Sequence, residues 1–270
     1  PAQEYNFLSG TLPAGLTYTN SSTTRTYFGS DGLLKTAAAN EPIFEWLGGV
    51  FQGMRWEMGQ RTNLATNSAG AAATWAAANV VDAATPIAGF SASLQFGDNS
   101  VARYAYKSFL NVDATRYTLS VFVQMDDGNA PILGLTQTSG DLSLVVENAI
   151  ATLNPTVQKV SGSIYRVSAG HVADAPININ NGIIKYTTQS ARTFRVIGIQ
   201  VEAAASASSY IPTAAAAVTR QPDVLTATSI SPWYRQDEGT VLFEGIHTSA
   251  DAVDRGHYVF NDGTNTNRIL

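Results

Sequence analysis

The sequence predicts an all-β protein: an antiparallel β-sandwich (jelly roll), preceded by an extended N-terminal arm and followed by the start of a second β unit. Three observations predict it. Short apolar runs recur at roughly ten-residue spacing, with Gly, Asn, Asp and Ser between them. Inside several runs apolar residues alternate with polar ones, the period of a half-buried strand. Strand-like runs do not alternate with helical periods, which argues against a doubly wound parallel sheet.

Residues 1–55 are the arm. Pro13, Gly15 and Asn20 stand in a Ser/Thr-rich stretch, the chemistry of turns and extended chain. Phe28, Leu33, Leu34, Ile43, Phe44 and Trp46 are scattered anchors that cannot form a core alone, so the arm is expected to be ordered on another surface. Residues 56–218 carry the sandwich. Tyr117, Leu119, Val121 and Val123 alternate with Thr118, Ser120 and Gln124, which puts Phe122 on the wetter face. Ile132–Gln137 and Leu142–Val146 flank a Ser139-Gly140 turn. Ile177, Ile179, Ile183 and Ile184 flank Asn181-Gly182, a hairpin signal because Asn-Gly accepts the positive φ angles of a type I′ turn. Phe194–Glu202 is nearly continuous apolar, as a strand buried on both faces would be, and Gly198 marks a bulge or a close approach. Residues 203–217 read as an extended exit, residues 219–238 as a linker, and residues 239–270 as the beginning of a second, incomplete β domain, expected to continue past Leu270 or else to pair with neighbouring chains.

Composition narrows the function. Of 270 residues only 14% are charged, and the net charge is −5. The surface must be largely Ser, Thr, Asn, Gln, Gly and Ala, which suits protein packing or hydroxyl-rich ligands met through neutral hydrogen bonds. Without a Lys/Arg run there is nothing to displace counterions from a phosphate backbone, so no nucleic acid is expected as a partner. The absence of cysteine removes disulfides, thiol catalysis and thiolate metal sites. The Ala-rich stretches are too short for membrane insertion, and the first residues show no secretion-signal pattern.

No catalytic constellation is present, and no enzymatic activity is expected. His171 has Asp174 nearby but no nucleophile in a recognisable elbow. His247, Asp251, Asp254 and His257 form a mixed cluster that reads as a polar hairpin loop or as ligands for a divalent ion. Asp126 and Asp127 precede Gly128 as turn residues do, and such loops also offer oxygens to a structural calcium. Trp75, Tyr104 and Tyr106 are candidate carbohydrate-binding platforms. Tyr104 and Tyr106 lie two apart and share one sheet face, which is either a ligand face or core.

The run Thr24–Pro42, TRTYFGSDGLLKTAAANEP, is distinctive. It resembles a module of phage tail-fibre, tail-spike and head-spike proteins, in which a TRAS-like segment leads through a DSDGLL motif to an RTNLL motif. Here the later motif stands as Gln60-Arg61-Thr62-Asn63-Leu64. Further points follow in order: Gly198-Ile199-Gln200-Val201-Glu202, then Ser208-Ser209-Tyr210-Ile211-Pro212-Thr213, then Val218-Thr219-Arg220 and Asp223. The segment Ile43–Gly49 and the stretch Met54–Met58 depart from the family pattern at framework positions. The resemblance implies a carbohydrate-binding-module-like jelly roll, and residues 239–270 resemble the start of a lectin-like sandwich. It also implies a virion structural protein, assembled in the host cytoplasm as a homotrimer with other phage virion proteins of the head, portal or tail. Host attachment would proceed through bacterial surface polysaccharide, with Tyr27, Phe28, Leu33 and Leu34 docking the arm on the particle. The competing implication is a purely structural head-decoration spike or baseplate adaptor.

Overall fold

The structure, a computed structural model, describes residues 3–85, 87, 89–174, 178–227, 260–261 and 268–269. The arm contributes strands β1 (Leu16–Thr19), β2 (Thr26–Phe28), β3 (Leu34–Thr36), β4 (Ile43–Leu47) and β5 (Val50–Arg55), followed by β6 (Arg61–Asn63). The sandwich runs through β7 (Ala76–Ala78), β8 (Val80–Asp82), β9 (Leu94–Phe96), β10 (Arg103–Leu110), β11 (Arg116–Met125), β12 (Ser143–Val146), β13 (Ala149–Ile150), β14 (Leu153–Ser161), β15 (Ile164–Val172), β16 (Asn178–Lys185) and β17 (Phe194–Glu202). Strands β18 (Val218–Arg220) and β19 (Val224–Ala227) close it.

Two antiparallel sheets face each other, as expected. One has the order β13-β12-β16-β10-β7 and the other β14-β15-β11-β17-β9-β8. Between them lies a continuous apolar core in which Leu119, Val121 and Val123 of β11 meet Leu144, Ala105 and Ile183 of the opposite sheet. The alternation read from Tyr117 to Val123 places these side chains correctly.

Phe122 is a correction. It points away from this core, yet only 2% of it is exposed. Its ring packs against Phe28 at 5.7 Å, Phe90 at 5.3 Å and Tyr210 at 5.6 Å, with the Arg166 guanidinium 5.5 Å from its centroid. The face that looked wet is covered by the arm. Phe28, Ile87, Phe122, Val160, Ile164, Ile197 and Tyr210 make a second core on the outside of the six-stranded sheet. The arm is therefore not a free extended strand but short hairpins laid on the sandwich: β2 pairs with β3, and β4 with β5.

The segment read as a linker also differs. Its residues 219–220 and 224–227 are paired, since β18 lies against β6 and β19 against β1. The exit segment is anchored as well, with Tyr210, Ile211 and Thr213 buried. The Asn181-Gly182 pair makes no hairpin: β16 is one strand, and Gly182 lies opposite both Tyr106 and Val145. A Cβ there would stand 2.1 Å from the Ala105 carbonyl oxygen. The glycine is needed for close strand approach and not for a positive φ. Residues Ile132–Gln137 form no strand beyond a single bridge from Leu133 to Leu142. The apolar patterns after Gly239, with the His247–His257 cluster, fall outside the described residues apart from a short pairing of Phe260–Asn261 with Arg268–Ile269.

Strand β17 is buried along both faces, as its composition predicts. Its register against β11 shifts between Ser120 and Phe122, and Gly198 at the shift has φ +69°. A Cβ on Gly198 would lie 2.8 Å from the Phe122 ring. Gly198→Ala is expected to cost about 2–4 kcal/mol, from a left-handed backbone and a ring contact together. Chemical denaturation measures it; a cost below about 1 kcal/mol would mean that the ring shifts freely.

Candidate functional site

Among the described residues, the arm covers the outer face of the six-stranded sheet and leaves the outer face of the five-stranded sheet open. Alternation along β10 turns Ala105 into the core and Tyr104, Tyr106, Ser108 and Leu110 outward. Tyr104 and Tyr106 are half-buried and their rings stack, 5.5 Å apart with planes 24° from parallel. Opposite them on the neighbouring strands stand Ala78 and Ala76 on one side, Ile184 and Gly182 on the other. Three of these four neighbours are small, so beside Tyr106 a flat ligand meets no tall side chain, and Ile184 adds an apolar wall beside Tyr104. Leu110 is 62% exposed, and Ala76 and Ser108 are exposed too. The Ser108 Oγ donates to Asn180 Oδ1 at 2.7 Å. Among the described residues neither phenol hydroxyl has a protein partner, so the face offers aromatic area beside uncommitted hydrogen-bonding groups.

Trp75 does not join this platform. It is 5% exposed and belongs to the inner core, where its indole N–H donates to the Asn67 carbonyl at 3.0 Å. A tryptophan buried with its polar handle satisfied cannot present a ring to a sugar.

Asp126 and Asp127 are held by arginines. Asp127 takes a two-pronged contact from Arg192 at 2.8 Å on each oxygen, which holds its carboxyl well below the usual range. Asp126 accepts from Thr193 Oγ1 at 2.5 Å and Gln95 Nε2 at 2.9 Å, with Arg195 Nε 3.3 Å away. A cation at this turn would have to compete with two guanidinium groups. The carboxyl cluster that does converge is elsewhere: Glu147, His171 and Asp174 each place a ligating atom within 4.8 Å of the others. Sequence spacing paired only His171 with Asp174; Glu147 arrives from the tight β12–β13 turn.

Of the four residues expected to dock the arm on a particle, Phe28 is 4% exposed and spent inside the second core, with Leu34 packed against it. Leu33 is 40% exposed and Tyr27 is half-buried. Phe28 and Leu34 hold the arm to its own sandwich, so they are not free to bind another protein.

The motif residues meet instead in one polar seam between arm and sandwich. Asn63 Nδ2 donates to the Ile211 carbonyl at 2.8 Å and its Oδ1 accepts from Ala65 and Val201 N–H groups, each at 3.1 Å. Gln200 Oε1 accepts from Ile211 N–H at 2.6 Å, and Glu202 accepts from Ser208 N–H at 2.8 Å. Arg25, fully buried, donates to Tyr18 Oη at 2.6 Å and to the Glu41 and Ala38 carbonyls. Tyr18 in turn donates to Asp223 at 2.5 Å, and burial with that carboxylate beside it pushes the Tyr18 phenol well above its ordinary range. Each segment supplies the partners that another leaves unsatisfied. This explains why such distant motifs occur together.

No family model matches the chain, and no curated protein matches it. Among solved structures, the chain is similar to the CBM22-1 xylan-binding domain of Paenibacillus barcinonensis Xyn10C: 13% identity, 57% of this chain against 94% of that one, TM-score 0.34. It is also similar to the CBM22-1–GH10 modules of Clostridium thermocellum endo-1,4-beta-D-xylanase 10B complexed with xylohexaose, at 17% identity, 55% of this chain and 28% of that one, TM-score 0.33. A third is the arabinose-bound MgGH51 α-L-arabinofuranosidase, at 17% identity, 69% of this chain and 31% of that one, TM-score 0.35.

Proposed function

We propose that this chain is a glycan-binding module of a phage tail fibre or spike, attaching the virion to bacterial surface polysaccharide and repeated as a homotrimer. The observation that carries the glycan reading is the Tyr104–Tyr106 stack on the sheet face that the arm, among the described residues, leaves open. Pyranose rings pack their C–H faces on aromatic rings, and neutral hydroxyl and amide groups beside them fix orientation. The low charge of the chain fits neutral, hydroxyl-rich ligands, and repetition about a symmetry axis turns weak single sites into avid attachment. The phage part of the reading is supported by the motif run Thr24–Pro42 and its downstream partners, with the arm serving as a folded base rather than a free tether. No catalytic step is assigned, and the module is read as a binder.

A glycan array probed with the full chain tests this. Binding to a host polysaccharide is expected, and Tyr104→Ala with Tyr106→Ala together should weaken it at least tenfold with little change in melting temperature. A chain that binds no host polysaccharide, or a double variant that binds as well as the parent, would overturn the reading and favour a structural spacer in a head spike or baseplate.

A further inference from the structure

We propose that Glu147, His171, Asp174 and Asn111 form a site for one divalent transition-metal ion, with zinc the best chemical match. Four places in the chain bring these residues together. Glu147 sits in the β12–β13 turn, His171 near the end of β15, Asp174 just beyond it, and Asn111 directly after β10. His171 Nε2 lies 3.2 Å from Glu147 Oε2, and a ligating atom of Asp174 completes a group whose members are all within 4.8 Å of each other. Ligands bound at about 2.1 Å to one ion stand roughly 3.0–3.4 Å apart in octahedral or tetrahedral geometry, so the His–Glu spacing already has the right size.

Asn111 supplies an independent observation. Its side chain is fully buried, yet its Oδ1 has no hydrogen-bond partner. Its Nδ2 donates to Glu147 Oε1 at 3.2 Å, so the amide faces the cluster. A buried carbonyl oxygen without a partner costs about 1–3 kcal/mol. The two ends of an amide exchange places by a half turn about the last side-chain bond. That turn would aim Oδ1 at Glu147 Oε1, and a cation between the two oxygens would hold it there in place of the amide N–H. The ion would give the buried amide oxygen a partner and neutralise a carboxylate whose side chain is only 6% accessible, while the amide N–H group moves to the place the oxygen vacates.

The donor set selects the metal. One imidazole with two carboxylates and an amide oxygen suits zinc and its transition-metal neighbours, whereas calcium takes six to eight oxygens and does not use imidazole. Asp174 N–H donates to Glu147 Oε2 at 2.9 Å and would orient that carboxylate from outside the coordination sphere. Asp174 is exposed, which gives the ion a path in from solvent. Because β12 and β15 belong to opposite sheets, the ion would staple the two layers at one edge.

Calorimetric titration of the full chain with zinc chloride, after treatment with a chelator, is expected to show one site per chain that survives replacement of His247 and His257. Asp174→Asn changes an exposed side chain and should leave the metal-free melting temperature in place. It and His171→Gln are each expected to weaken zinc at least tenfold and abolish the zinc-dependent rise in melting temperature, while calcium chloride gives no such rise. No zinc uptake in the micromolar range, or uptake unchanged in His171→Gln, would overturn the proposal and leave Glu147–His171 an ordinary ion pair.

Discussion

Phe122→Ala is expected to remove about 3–5 kcal/mol of stability, the cost of deleting a fully buried ring whose site cannot collapse. The loss should be spatially selective. The inner face of β11 keeps Leu119, Val121 and Val123 in the sandwich core, while the second core loses the ring on which Phe28, Phe90 and Tyr210 converge. Limited proteolysis should therefore cut first within the arm, around its hairpins, before the sandwich gives way. Phe28→Ala empties part of the same contact, so the two substitutions together should cost less than their separate effects combined. A denaturant midpoint that moves by less than about 1 kcal/mol, with the arm still resistant, would show that the arm is held by other contacts.

The second large effect concerns Glu57. Burial alone would raise its carboxyl, but Arg55, Arg220 and the Ser209 donors outweigh burial and hold it at about 2. Ser209 N–H donates to Oε1 at 2.8 Å and its hydroxyl to Oε2 at 2.6 Å, while Arg55 Nε and Arg220 Nη2 stand 3.4 and 3.5 Å away. A carboxyl held there instead of at its ordinary 4.5 contributes on the order of 3 kcal/mol at neutral pH. The sign follows from the depressed value: the contribution is present above 4.5 and disappears as pH falls toward about 2. Glu45 and Glu202 run the other way. Burial raises both carboxyls, against Arg55 for the first and against Ser208 for the second, so their favourable contribution is lost as pH rises above their ordinary range. Stability is thus expected to peak at mildly acidic pH and fall below about 4. Glu57→Gln should lose about 3 kcal/mol at pH 7 and converge on the parent near pH 2, which urea titrations across pH would read directly. A difference that stays constant over that range would mean that the Glu57 charge has no special place in the seam.

Local signals carried the sandwich well and its surroundings poorly. The Tyr117–Val123 alternation and the apolar run Phe194–Glu202 are properties of single strands, and the structure places the inward residues of the first and the whole of the second as read, although Thr118 and Ser120 are buried too. What one strand cannot report is who covers its other side, and so Phe122 looked wet. Gly182 misled for a related reason: a missing side chain fits a turn or a close approach, and only the facing Tyr106 decides between them. A signal overlooked was Gly48-Gly49 between β4 and β5, a two-residue hairpin at φ +61° and +85°. Tyr104 and Tyr106 were legible as one face by spacing alone, but whether that face was core required knowing where the arm lay. Glu147 was invisible as a metal candidate because its neighbours come from β10 and β15, and turn sequence carries no record of distant strands.

Strands β1 and β19 pair antiparallel with Leu16 opposite Ala227, next to the pairing of β6 with β18. The incoming and outgoing segments are therefore clasped side by side. Tension applied at Leu16 and Ala227 meets this ladder end-on and must peel it one bond at a time. The sandwich itself hangs beside the line of force, and its core carries no load until the clasp has opened. Under such a load the clasp would unzip first, while the Tyr104–Tyr106 face keeps its shape.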